Sequence, residues 1–146
     1  MFLRILLSLP LALSLFAITG TVSAQAQYPA KAIRMVIPYP PGGGTDTLGR
    51  PIARLLGEKL GQNILIDNRG GASGMVGAEL VARSPADGYT LLMSTSGEAA
   101  LNVALYPKMN YDPVRDFAPV TQVGISPLVL VVHPSLPAKD IKDYLA

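Results

Sequence analysis

Near its start the chain repeats one order of pieces, a short apolar run followed by a helical stripe, with very little between them. "AIRMVIPY" (residues 32–39) is β-branched and apolar and stops at a proline, as a buried strand does. Residues 45–60 then place Leu48, Ile52, Leu55, Leu56 and Leu60 at the spacings of one helical face, and Gly61 ends the pattern. Thr45, Asp46 and Thr47 are all competent to cap this helix, and Pro51 inside it costs a hydrogen bond unless the helix starts near Arg50. "NILIDN" (63–68) reads as a second strand, and Met75, Val76, Leu80 and Val81 form a second helical face. Gly74 and Gly77 on that helix suggest close packing against a sheet, or backbone left clear for a ligand. After the turn "SPADGY", residues 89–94 make a third strand. Strands that are apolar throughout belong in a parallel sheet with helices on both faces.

Sheets of this kind bind ligands beyond the carboxyl ends of their strands. The three loops that emerge there, "PPGGGTD", "DNRGGASG" and "STSGEA", are rich in Gly, Ser, Thr and Asp, whereas the turns at the opposite edge look merely structural. In the first loop Gly42, Gly43 and Gly44 can present successive N–H groups as a nest, and Thr45 adds a hydroxyl at a helix N-terminus. A turn with a cap needs one or two glycines; three point to the approach of an anion. A carboxylate suits the place better than a phosphate because Asp46 is adjacent. Asp46 itself has three open roles: capping the helix, orienting a water, or meeting a ligand ammonium group. Tyr39 either walls the pocket or packs in the core. Ser94, Thr95 and Ser96 offer hydroxyl donors at the end of the third strand.

Other chemistries find no machinery. The residues following Gly44 and Gly49 are Arg50-Pro51 where a phosphate-binding loop needs Lys-Ser/Thr, and Thr47 stands where a dinucleotide fingerprint needs its third glycine. His133 is the only histidine, and Asp46, Asp67, Asp87 and Glu98 are scattered without metal-ligand spacing, so neither catalysis nor a metal is expected. Twelve basic residues against ten acidic ones give no support to nucleic-acid binding. Residues 1–26 have one basic residue, Arg4, an apolar run and two small-residue sites ending at Ala24 and Ala26, the layout of a cleavable secretory signal. No cysteine is present, so there is neither a disulfide framework nor a lipid attachment point, which fits a soluble periplasmic protein.

From residue 99 the character changes, with six prolines between 107 and 137. Two short strands are expected at 120–124 and 128–132, then a helix from near Ala138, with Ser135 or Asp140 as its cap. Three strands and two helices do not complete a covered sheet, so the chain reads as a fragment that folds poorly alone and exposes apolar surface.

The segments "PYPPGGGTDTLGR", "IDNRGGASGMVGAELVARSPADGYTLL" and "LYPKMNYDPVRDFAPVTQVGISPLVLVVHPSLPAKDIKDYLA" together resemble the Bug family, the periplasmic solute-binding receptors of tripartite tricarboxylate transporters, over residues 28–146. The resemblance implies an α/β clamshell of the type II periplasmic-binding-protein kind, roughly twice this length, with only its first part present. Residues 27–100 would be the first part of lobe one (βαβαβ), and 101–146 the crossover and the start of lobe two. It implies no enzyme activity and no cofactor, a small di- or tricarboxylate as ligand, membrane transporter subunits as partners, and a monomer at full length. The loop matching residues 42–46 would hold one carboxylate through backbone groups and waters. In "EAALNVALY" the chain keeps Asn102 but has Ala99 and Val103 where the family often has His and Pro. Other readings of the same residues are a ligand sensor serving a membrane kinase, a truncated remnant, and an enzyme on the same scaffold.

Overall fold

A computed structural model of the chain describes residues 27–127 and 129–145; the expected secretory signal lies outside them. Strand β1 (Ile33–Ile37) is central, flanked by β2 (Ile64–Asn68) on one side and β3 (Thr90–Leu92) on the other, and both pairings are parallel. Ile33, Val36 and Ile37 of β1 are fully buried, each contributing about 1.5–3 kcal/mol of apolar burial.

Alternation along β1 divides the helices between the two faces of the sheet. Met35 and Ile37 pack with Ala53 of helix α1 (Gly44–Leu60) and with Met93. On the other face Pro38, next in line after Val36, lies against Gly77 of helix α2 (Met75–Ala82), where an added Cβ would come within 2.9 Å of Pro38 and of the Arg69 carbonyl. The expected parallel sheet with flanking helices is therefore present.

The helical faces match those the sequence suggests only in part. In α1 the buried residues are Asp46, Gly49 and Ala53, while Leu48 and Leu55 are half-exposed. The helix approaches the sheet so closely that a Cβ on Gly49 would meet Ile37 Cδ1 at 2.8 Å. In α2 the buried positions are likewise small, Gly77 and Ala78, and Val76 is exposed. Of the large residues in the α1 stripe, Ile52 and Leu56 do pack against the core cluster, and the small residues beside them let the helix sit close to the sheet.

Helix α1 also starts earlier than a Thr or Asp cap would allow. Gly43 is the N-cap and accepts the first helical bond from Thr47 N–H at 2.9 Å. Pro51 therefore lies well inside the helix. Pro51 and Thr47, whose carbonyl loses its helical donor, are both exposed, so water can satisfy the freed group. Gly61 closes the helix in the left-handed conformation, as expected.

Beyond β3 a π-type turn (Gly97–Leu101) runs into the short helix α3 (Asn102–Leu105). The strands expected at 120–124 and 128–132 are corrected: residues 120–127 and 129–132 are exposed and not in strands. Apolar sequence there meets no neighbouring ladder among the described residues, and a strand needs one. The final helix, α4 (Ile141–Leu145), begins with Asp140 as its cap, its Oδ1 accepting from Lys142 and Asp143 N–H at 2.8 and 3.0 Å. No helix among the described residues is long and apolar enough to cross a membrane.

Candidate functional site

The strand order β2–β1–β3 decides where a site can form. The chain leaves β1 toward β2 over one face and reaches β3 over the other, so the carboxyl end of β1 is the switch point at which open α/β sheets hold their ligands. The strand ends are level, with Ile37 in register with Asn68 and Val36 with Leu92. Residues 39–46, 69–74 and 94–98 all emerge at this edge.

In the first loop Gly42 is left-handed (φ 82°) and so needs to be glycine. Gly43 and Gly44 carry no such requirement: a Cβ on Gly44 would meet nothing within 4 Å, and one on Gly43 only the Pro40 carbonyl at 3.6 Å. The Gly42 N–H is spent internally, donating to Asp46 Oδ2 at 2.9 Å. That leaves the N–H groups of Gly43, Gly44 and Thr45, ahead of the first helical bond, with no acceptor among the described residues.

Asp46 is 2% exposed and holds this loop together. Its Oδ2 accepts from Gly42 N–H and Arg50 Nε (2.8 Å), and its Oδ1 from Arg50 Nη2 (3.0 Å) and Asn68 Nδ2 (3.0 Å). Four acceptor positions are thus filled. The Arg50 bonds first, then Gly42 and Asn68, hold its carboxyl far below the usual carboxylate range despite its burial. Because Arg50 neutralises it, Asp46 does not cancel the positive end of α1. Asn68 Nδ2 also donates to the Tyr39 carbonyl at 3.1 Å, tying the end of β2 to the end of β1.

The third-strand loop is organised by Glu98, which is 1% exposed. Its Oε2 accepts from Thr95 N–H and Thr95 Oγ1, both at 2.8 Å. The one proton of Ser94 Oγ goes to the nearer Thr95 carbonyl at 3.0 Å, with Glu98 Oε2 farther off at 3.4 Å, and exposed Ser96 makes no capping bond. Tyr39 packs its ring against the core cluster and brings its hydroxyl to 3.1 Å from Thr95 Oγ1. Burial, then the nearby Glu98, pushes the Tyr39 phenol up, so it keeps its proton.

The middle loop carries positive φ at Ala72 and Ser73, both non-glycine, at a cost of order 1 kcal/mol each. Buried Asn102 holds it by donating to the Ser73 carbonyl at 3.0 Å, and Ser73 Oγ meets Tyr106 Oη at 2.6 Å. Of the two roles open for Gly74, close packing holds, since a Cβ there would meet Glu98 Oε1 at 1.9 Å.

The structure thus brings together Tyr39, Gly43, Gly44, Thr45 and the 94–96 loop at one edge, while Gly42 and Asp46 serve the loop from within. Arg50 and Asn68 are supporting residues to which the sequence reading gave no role, while Glu98 was weighed there only as a metal or catalytic carboxylate and Asn102 was noted only as kept from the family pattern. Of the first two, Arg50 had a signal, its spacing of four from Asp46 on a helix. A groove of about 700 Å³ along the free edge of β2 includes none of residues 39–46 or 94–96. Among the described residues no cluster of His, Cys, Asp and Glu could hold a metal, and His133 is exposed and bonded to Ser135.

Residues 48–146 match the family model described as the tripartite tricarboxylate transporter family receptor. The chain belongs to that family. Protein BugT of Bordetella pertussis is 41% identical over 144 residues, which are 98% of this chain and 44% of BugT. A solved R. palustris protein with adipate superposes with a TM-score of 0.74 at 43% identity, covering 81% of this chain and 40% of its own. MatC from Rhodopseudomonas palustris with bound malate gives 0.73 at 37% identity, covering 80% and 40%. The chain therefore spans less than half the length of these receptors. Its fold is the corresponding part of a periplasmic binding protein, and the family is one of solute receptors rather than enzymes.

Proposed function

We propose that this chain supplies the first-lobe half of a periplasmic receptor that captures a small di- or tricarboxylate for a tripartite tricarboxylate transporter. One observation carries the reading. The N–H groups of Gly43, Gly44 and Thr45 stand without acceptors among the described residues at the N-terminus of α1, where a Cβ on Gly44 would meet nothing and one on Gly43 only the Pro40 carbonyl. A carboxylate oxygen fills such a place, taking the N–H bonds and the favourable end of the helix dipole. The adipate and malate held by two relatives of similar fold support the same ligand class. In this reading Tyr39 and the Ser94, Thr95 and Ser96 loop wall the crevice. Residues 101–146 lead toward the second lobe, residues 1–26 direct secretion to the periplasm, and membrane transporter subunits receive the ligand.

Replacing Gly44 separates ligand approach from folding. Gly44→Val puts its Cβ where no protein atom lies within 4 Å, so the melting of the unliganded chain should change by less than about 1 kcal/mol. Binding of succinate or adipate, followed by titration, should weaken at least about tenfold as the side chain enters the ligand's space. Unchanged affinity would remove the glycine loop from the site.

A further inference from the structure

Glu98 is a buried carboxylate with no cationic partner among the described residues, and its Oε1 has no hydrogen-bond partner there. Its Oε2, in contrast, fixes the direction of the Thr95 hydroxyl. Thr95 Oγ1 gives its single proton to Oε2. The two remaining lone pairs of Thr95 Oγ1 are then the acceptors for Gly97 N–H at 3.0 Å and for Tyr39 Oη at 3.1 Å. Tyr39 is consequently the donor in its bond to Thr95, and its own oxygen is left with lone pairs only. Gly97 keeps that oxygen uncovered, since a Cβ there would lie 3.3 Å from it.

We infer that Glu98, acting through Thr95, holds Tyr39 as a hydrogen-bond acceptor, so that the crevice selects carboxylates that carry their own donor, such as a hydroxyl, over unsubstituted ones. A second carboxylate oxygen facing Tyr39 would meet lone pair against lone pair, whereas a hydroxyl beside the carboxylate completes the chain Glu98, Thr95, Tyr39, ligand. Tyr39 is then the contacting residue and Glu98 a positioning residue. The inference rests on the carboxylate reading above and narrows it.

The test pairs malate with succinate, which differ by one hydroxyl, in titrations of the chain followed by NMR. Malate should bind about three- to tenfold more tightly, the scale of one net hydrogen bond. Tyr39→Phe and Thr95→Val should both bring the two affinities together, the first by removing the acceptor and the second by freeing the phenol proton to turn outward. Thr95→Ser, which keeps the hydroxyl, should restore the preference. Glu98→Gln should also keep it, because the Thr95 N–H forces the amide carbonyl into the place of Oε2; Glu98→Met should lose it. Equal affinities in the parent chain, or a malate advantage that survives Tyr39→Phe, overturn the selection and leave the carboxylate reading standing. Absence of binding by either acid overturns both.

Discussion

Asp46 and Glu98 are two buried carboxylates handled in opposite ways. Asp46 is saturated by Arg50, Gly42 and Asn68 and so fixes the glycine loop. Asp46→Asn should lower the melting temperature at neutral pH by leaving Arg50 unpaired. The sign with pH follows from the lowered folded pKa. The stabilisation is complete above the unfolded-state value of about 4 and is lost as pH falls through the lower folded value. Melting curves of parent and variant should therefore converge as pH is taken below about 4; a constant gap would contradict the pairing. Glu98 instead fills the space of a side chain at Gly74, which is also left-handed (φ 84°). Gly74→Ala should cost about 2–4 kcal/mol in denaturant unfolding. The Asp46–Arg50 spacing was legible in the sequence. Asn68 and Glu98 were not: Asp46 and the Tyr39 carbonyl, the partners of Asn68, are distant in sequence and only the fold brings them near, while Thr95, the partner of Glu98, is three residues away in a turn that no regular spacing marks.

At the scale of elements, the two sheet-facing glycines make a contrast. A Cβ on Gly77 presses on Pro38 and on the Arg69 carbonyl, which are backbone and ring atoms that cannot step aside, so Gly77→Ala should destabilise by about 1–3 kcal/mol. A Cβ on Gly49 presses closely on just the end of the Ile37 side chain, at 2.8 Å, with Met93 Cγ at an ordinary contact distance of 3.8 Å. There the helix propensity gained, about 1 kcal/mol, should offset most of the strain and leave stability nearly unchanged. Equal losses at both positions would mean that the helices do not pack as described. The sequence placed all three strands and both main helices because apolar runs, helical spacing and the Gly61 stop are local signals. It placed Ile52 and Leu56 of the stripe correctly against the core, but it missed that Gly49, Ala53 and Ala78 are buried, as Gly77 is, and that Leu48 and Leu55 stay half-exposed. It also read strands at 120–124 and 128–132, because β-propensity says nothing of whether a neighbouring strand is there to pair.

For the whole molecule, the 2–1–3 order of a parallel sheet sets a switch point beside three polar loops. That the loops share one edge follows from alternating strands and helices, whereas the strand order and the direction of each hydrogen bond need the structure. Stability should be as uneven as the packing. Amides of β1, buried and paired on both sides, should resist hydrogen exchange, while those of 117–127, which bond to no described residue, should exchange at near-intrinsic rates. Val120 and Ile125 are over 80% exposed, so the chain at this length should bind apolar dyes. Protection across 117–127 would show that this segment pairs after all. The central claim, that the glycine loop captures a carboxylate, is most directly tested by titrating the isotopically labelled chain with malate and following each backbone amide by NMR. The account predicts the largest shifts at Gly43, Gly44 and Thr45, with Gly42 much less affected because its N–H already belongs to Asp46. Shifts confined to the groove along β2, or none at these three amides, would contradict it.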